Sequence, residues 1–218
     1  MNNLSIGKVV CVGRNYAAHA AELGNEVPTQ PLLFIKPASS VHYIEANNTT
    51  SIAASFYDIP RDIKYDVHYE AELCVQLGKE LINASIDEVK DAINAVTVGL
   101  DLTLRDLQTK LKDKAQPWER AKCFVGSCVL GEWVSPDSFG DFTDVQYQLY
   151  INDTLTQDGD TALMLFPVYQ LLVDISHAFG LQVGDVVMTG TPAGVGKLMA
   201  GDKLKLVLGE HTWQASVV

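Results

Sequence analysis

The sequence predicts a β-rich α/β fold in which strands and helices follow no regular order. Three observations carry this expectation. The second half is dominated by segments that alternate apolar and polar residues, VQYQLYIND most cleanly. The helical patterns are few and short. No strand–helix–strand unit recurs, as a doubly wound sheet would need.

In chain order, GKVVCVG (7–13) reads as a short buried strand. NYAAHAAELG follows as a short alanine-rich helix, with Asn15 as candidate N-cap and Gly24 as its stop. PLLFIKP (31–37) is an apolar strand bounded by prolines. YDVHYEAELCVQLGK (65–79) reads as one strand. Period two puts Val67, Tyr69, Ala71, Leu73, Val75 and Leu77 on one face and His68, Glu70, Glu72, Cys74 and Gln76 on the other. SIDEVKDAINAV is an amphipathic helix with Ser85 as N-cap and Glu88 at the capping-box position. AVTVGLDLTLRDLQTKLK opens as a buried apolar run and ends as a polar helix. Beyond VQYQLYIND, MLFPVYQLLVDISHAFG is a helix with Pro167 near its first turn. GDVVMTGTPAGVG is a strand entering a glycine-rich loop, and GDKLKLVLGEHTWQASVV a closing hairpin. With no repeat or low-complexity linker, residues 1–218 are expected to form one domain.

Composition narrows the function classes. Hydrophobic residues at 47 % and charged residues at 20 % are globular values. A net charge of −11 argues against nucleic acid as a partner. No apolar run approaches a membrane span, and the N-terminal one is too short for a signal peptide. Cys11, Cys74, Cys123 and Cys128 sit in or beside apolar segments, as free thiols of a reducing cytoplasm would. Cys123 and Cys128 lack the partner set of a zinc site.

The residues that could carry chemistry begin with Glu70 and Glu72. Two carboxylates at i and i+2 on a strand stand roughly 7 Å apart at Cβ, and disturb each other's titration unless a cation or water intervenes. A plain solvated face is the competing reading. Asp101 ends an expected buried strand, where an acid is costly unless paired. Together the three form an all-oxygen set that suits Mg²⁺, Mn²⁺ or Ca²⁺ better than zinc. His19 and Glu22, i and i+3 on a short helix, could form a base and its orienting carboxylate, or an ordinary exposed pair. Arg14, in a glycine-flanked turn, could bind a substrate carboxylate or be a surface charge. Lys122, between a polar helix end and an apolar strand, would seek an anion if buried. Arg105 and Gln108 follow Asp101 closely. TGTPAGVGK offers Thr189, Thr191 and free backbone amides, but its glycine spacing and Leu198 exclude a Walker A loop. No G-x-S-x-G elbow is present. His42, His177 and His211 read as surface or core residues, and His68 as a candidate neighbour of the Glu70 face. Tyr16 and Phe34 read as core packing, with pocket lining as the alternative.

CVGRNYAAHAAEL, PLLFIKP, VHYEAEL, GLDLTLRDLQ, PWERAKCFVGSC and VVMTGTPAGVG, in that order, resemble the fumarylacetoacetate hydrolase family over roughly residues 7–217. The likeness is to its short acylpyruvases and oxaloacetate-handling enzymes. It implies a mixed β-sandwich roll with flanking helices and a short lid helix, usually a homodimer. It implies Glu70, Glu72 and Asp101 as ligands of Mg²⁺ or Mn²⁺, with Ca²⁺ as a substitute. His19 and Glu22 become a catalytic dyad on the lid. Lys122 becomes the lysine at the oxo-acid end, and Arg14, Gln108 and Thr191 become substrate contacts. Val129 stands where close relatives often carry proline. The activity implied is metal-dependent C–C hydrolysis of a 3-acylpyruvate, of acetyl or fumaryl type, to pyruvate and a carboxylic acid. The alternatives are an oxaloacetate decarboxylase or keto–enol tautomerase, or an isomerase or decarboxylase of an aromatic-degradation intermediate. A non-catalytic metal-binding scaffold is the reading from another class. The partner implied is a small 2-oxo acid.

Overall fold

Two strands without an exposed face form the centre of the structure. Ala71–Leu77 is buried throughout, and Ile93–Asp101 from Ala95 on. The computed structural model describes residues 4–45 and 50–218. Within them a seven-stranded mixed sheet runs Leu32–Pro37, Lys8–Gly13, Val186–Met188, Ala71–Leu77, Ile93–Asp101, Cys128–Leu130, Val41–Tyr43. Lys8–Gly13 pairs in parallel with Val186–Met188, and Cys128–Leu130 with Val41–Tyr43; the other pairs are antiparallel.

Both faces of this sheet are covered. Leu73, Val75, Val96, Val98 and Leu100 point into the main core. Cys74 points the other way, into a smaller core with Val9, Cys11, Cys128, Leu130 and Met188. A five-stranded sheet runs Thr154–Asp160, Gln146–Ile151, Lys203–Leu208, His211–Val217, Thr50–Ile52. Its Tyr147, Leu149, Leu206 and Trp213 join the main core. In a third sheet Ile63–Tyr69 pairs with Ser55–Asp58, Gly196–Lys197 and Thr103–Leu104. The β-rich α+β class expected from the sequence is thus the class observed. Among the described residues, no helix is long and apolar enough to cross a membrane.

Three local expectations need correction. The stretch 65–79 is two strands, Ile63–Tyr69 and Ala71–Leu77, in different sheets. Glu70 sits at the break, where its carbonyl accepts from Asp101 N–H at 2.8 Å. The period of two survives within Ala71–Leu77, but the Cys74 face is packed and not solvated. The helix at SIDEVKDAINAV is only Ile86–Lys90, because Ile93 already belongs to the central strand. Its capping pair holds, with Ser85 N–H donating to Glu88 Oε2 at 2.8 Å. Asn15 does not cap the first helix, Ala17–Glu22. Its buried amide instead donates to the carbonyls of Thr189 (2.8 Å) and Phe166 (3.1 Å) and accepts from Phe166 N–H (2.8 Å). That ties the end of the first strand to two distant loops.

Gly159, paired with Tyr147 on the neighbouring strand of the five-stranded sheet, leaves room for that ring. A Cβ there would lie 2.2 Å from Cζ of Tyr147, a buried ring whose hydroxyl lies 3.0 Å from Tyr16 Oη and donates to the Gly190 carbonyl at 3.2 Å. Gly159→Ala is therefore expected to cost about 1–3 kcal/mol, as overpacking does, read as a lower urea midpoint at unchanged slope.

Candidate metal centre and its cleft

Glu70, Glu72 and Asp101 meet because the break after Tyr69 brings two strands together at one end. Ala71–Leu77 and Ile93–Asp101 are neighbours, with Glu72 opposite Gly99. Gly99 has no room for a Cβ, which would lie 2.9 Å from Cys74 Sγ. One carboxylate oxygen from each acid falls within 4.8 Å of the others, and all three residues are buried. Three such charges in the interior are unstable without compensation.

Three basic groups supply it. Lys36 Nζ lies 2.9 Å from Asp101 Oδ1 and also donates to the carbonyls of Leu102, Lys122 and Ser127 and to Ser127 Oγ. Lys122 Nζ donates to Glu70 Oε2 and Asp101 Oδ2, both at 2.7 Å. Arg105 pairs with Glu70 Oε1 and donates to Gln108 Oε1 at 2.8 Å. Burial alone would raise the Glu70 carboxyl, but Lys122 and Arg105 reverse this and hold it far below the carboxylate range. Burial likewise works against the Lys122 ammonium, and Asp101 and Glu70 outweigh it, so its pKa is raised.

Glu72 differs. It makes no ion pair among the described residues, and its Oε2 accepts only the Gly190 N–H, at 2.7 Å. Burial, then the charges of Asp101 and Glu70, push its carboxyl well up. A divalent cation among the three oxygens would relieve that, so the donor set fits Mg²⁺ or Mn²⁺ chemically. Gly190 makes the amide available at φ 101°, where a Cβ would lie 2.6 Å from that of Asn15.

The cleft over this cluster gathers most of the residues singled out in the sequence. Arg14, His19, Gln108, Lys122 and Thr191 line it with the three acids. Glu22 stands behind His19, whose Nδ1 faces Oε2 of Glu22 at 3.5 Å. Both Glu22 oxygens accept from Gly194 N–H, at 3.1 and 3.2 Å. His19 is 4 % exposed, and burial lowers its pKa despite the nearby Glu70 and Glu22 carboxylates. Arg14 takes φ 59°, a left-handed conformation that is rare outside glycine, as the strand ends. Phe34 lines the cleft beside Trp118, with Lys122 Nζ 5.1 Å from its ring centroid. Tyr16 is core. His42, His177 and His211 are exposed and His68 is half-buried. The free cysteines Cys11, Cys74 and Cys128 are buried, and burial pushes the Cys128 thiol up to about 12.

Sequence reasoning missed Lys36, and noted Arg105 without giving it a role. A lone charge inside the apolar PLLFIKP was the available signal for Lys36, of the same kind that marked Asp101. Gln157 and Lys112 gave no such signal. Lys36→Met would remove one of the three cations that balance the buried carboxylates, strip Asp101 Oδ1 of its ion pair and take a donor from the Leu102 and Ser127 carbonyls. The expected loss is about 3–5 kcal/mol, measured by urea denaturation in the presence of EDTA.

A model of the fumarylacetoacetate hydrolase C-terminal family matches residues 8–214. The oxaloacetate tautomerase YcgM of Escherichia coli is 40 % identical over 98 % of this chain and 93 % of its own length. A solved structure from Oleispira antarctica is 44 % identical with a TM-score of 0.87, covering 100 % of this chain and 96 % of that one. The fumarylpyruvate hydrolase of Pseudomonas aeruginosa, solved with Mn²⁺ and pyruvate, is 30 % identical with a TM-score of 0.86, covering 98 % and 90 %.

Proposed function

The chain belongs to the fumarylacetoacetate hydrolase family, and from that premise we propose that it is a divalent-metal-dependent enzyme interconverting the keto and enol forms of oxaloacetate. The observation that carries the choice of substrate is the distribution of charge in the cleft. Three carboxylates are matched by Lys36, Lys122 and Arg105 at the inner end. Arg14 and Lys112, also lining the cleft, have no acidic partner within salt-bridge distance among the described residues. Partial burial, then the neighbouring Arg14 and Arg105 charges, lower the Lys112 pKa. A cleft holding a divalent cation inside and two unmatched basic groups outside suits a small dianion with carboxylates at both ends. Oxaloacetate has that form; acetylpyruvate, with one carboxylate, does not. The YcgM relative carries the same activity in its name.

In this reading Glu70, Glu72 and Asp101 hold the metal. A divalent cation held there would supply Lewis acidity to the bound oxo acid. The chain's own residues do the rest. His19, kept neutral by burial, takes a proton from C3 and returns it to the C2 oxygen, with Glu22 orienting the ring. Lys122, held as an ammonium, places positive charge beside the oxygen that becomes anionic. Gln108 and Thr191 contact the oxo acid, while Arg14 and Lys112 take the far carboxylate.

Hydrolysis of a 3-acylpyruvate is the second reading. It is favoured by the buried His19 beside Glu22, a pair able to activate water, and by the fumarylpyruvate hydrolase neighbour. Fumarylpyruvate also carries a distal carboxylate. The deciding experiment follows the ultraviolet absorbance of enol-oxaloacetate with Mg²⁺ and after chelation, alongside pyruvate release from acetylpyruvate and fumarylpyruvate. Metal-dependent loss of the enol signal without release of pyruvate or CO2 supports tautomerisation. Pyruvate release from an acylpyruvate by protein inert towards oxaloacetate would move the assignment to hydrolysis.

The pH dependence has a defined sign. A base must be deprotonated, and burial lowers His19 from its ordinary 6.5. The acid limb of kcat/KM should therefore fall below pH 6.5, with activity lost as pH drops through the lowered value. His19→Ala should lose about 100- to 10,000-fold in kcat while Mn²⁺ binding, measured by calorimetry, is retained. Wild-type turnover in that variant would remove His19 from the reaction.

A further inference from the structure

Gln157 lies on Thr154–Asp160 in the five-stranded sheet, outside the cleft, and is 1 % exposed. Its carboxamide touches three groups. Ala71 N–H, which can only donate, lies 2.8 Å from Oε1. The Pro192 carbonyl, which can only accept, lies 3.0 Å from Nε2. These two partners fix which end of the amide is oxygen. Nε2 is also 2.8 Å from Thr191 Oγ1, so Gln157 donates and the threonine hydroxyl accepts.

The hydroxyl proton of Thr191 must then point elsewhere. Thr191 is 2 % exposed, and its hydroxyl has no other hydrogen-bond partner among the described residues. It lines the cleft together with Glu70, Glu72, Asp101 and Lys122. We infer that Gln157 is a positioning residue that turns Thr191 into a hydrogen-bond donor aimed at an anionic oxygen of the substrate, a carboxylate or enolate oxygen. This rests on the reading of the cleft as a 2-oxo acid site. Gln157 touches no substrate in this role; it acts through one proton of Thr191. The rival role is structural, since Gln157 also ties the Pro192 loop to the backbone between the two glutamates.

The test is a double-mutant cycle on Gln157→Glu and Thr191→Val. The first keeps size and the acceptor for Ala71 but replaces Nε2 by oxygen. Ionised, that oxygen draws the Thr191 proton away from the cleft; protonated, its single proton cannot serve both Pro192 and Thr191. Oxalate with Mg²⁺ is the probe, its Kd measured by calorimetry, beside KM and kcat for oxaloacetate. Each single variant should raise oxalate Kd roughly tenfold, the effect of one charge-assisted hydrogen bond. The double variant should be no worse than either. Thr191→Ser, which keeps the hydroxyl, should stay near wild type and keeps the test decisive if Gln157→Glu folds poorly. Unchanged Kd in Thr191→Val, a weak Thr191→Ser, or additive losses in the double variant would each overturn the inference. Wild-type protein that binds no oxalate with Mg²⁺ would overturn the 2-oxo acid reading itself, a result distinct from any change among the variants.

Discussion

Three carboxylates closed into one buried cluster are the constraint on which the rest depends. Their oxygens stand within 4.8 Å of one another, away from water. Charges at that range in a low dielectric repel strongly. Lys36, Lys122 and Arg105 are arranged around that fact. The fold places Glu72 and Asp101 on two neighbouring central strands and Glu70 at the break before one of them, where the backbone cannot easily drift to separate them.

The two lysines meet this constraint differently. Lys36 is tied to one carboxylate and to three backbone carbonyls, including that of Lys122. It is a fixed part of the scaffold and holds the chain from which the other lysine projects. The ammonium of Lys122 has only the carboxylates of Glu70 and Asp101 as hydrogen-bond partners among the described residues, and it faces the cleft. One cation builds the site and the other is available to a ligand. The loop carrying Thr191 and Gly194 is held on two sides, Gly194 N–H by Glu22 at the end of the first helix and Thr191 by Gln157.

Much of this was legible in the sequence because polar residues in apolar surroundings are conspicuous. Asp101 stood out for that reason and Glu70 and Glu72 as two carboxylates on one strand face; the three read together as an all-oxygen set, and the family likeness supported it. The strand break at Glu70 was not legible, since no glycine or proline marks it and the alternation runs straight through. The chain changes sheets there because Asp101 N–H captures the Glu70 carbonyl, a contact from outside the segment. Asn15 looked like a helix cap because local rules favour asparagine there, but loops more than 150 residues away claim its amide. Gln157 was invisible for the same reason: its partners at residues 71, 191 and 192 come together only in the folded chain.

The ion pairs of Lys122 also limit the covalent chemistry open to the site. An amine attacks a ketone only when it is unprotonated, and lysines that form Schiff bases are usually ones whose charge has been made unfavourable. Burial pushes Lys122 in that direction, but Asp101 and Glu70 push it further the other way. Its nitrogen lone pair stays occupied by a proton. If the proposed 2-oxo acid is the substrate, it would rest against an ammonium that donates to its carbonyl and does not condense with it.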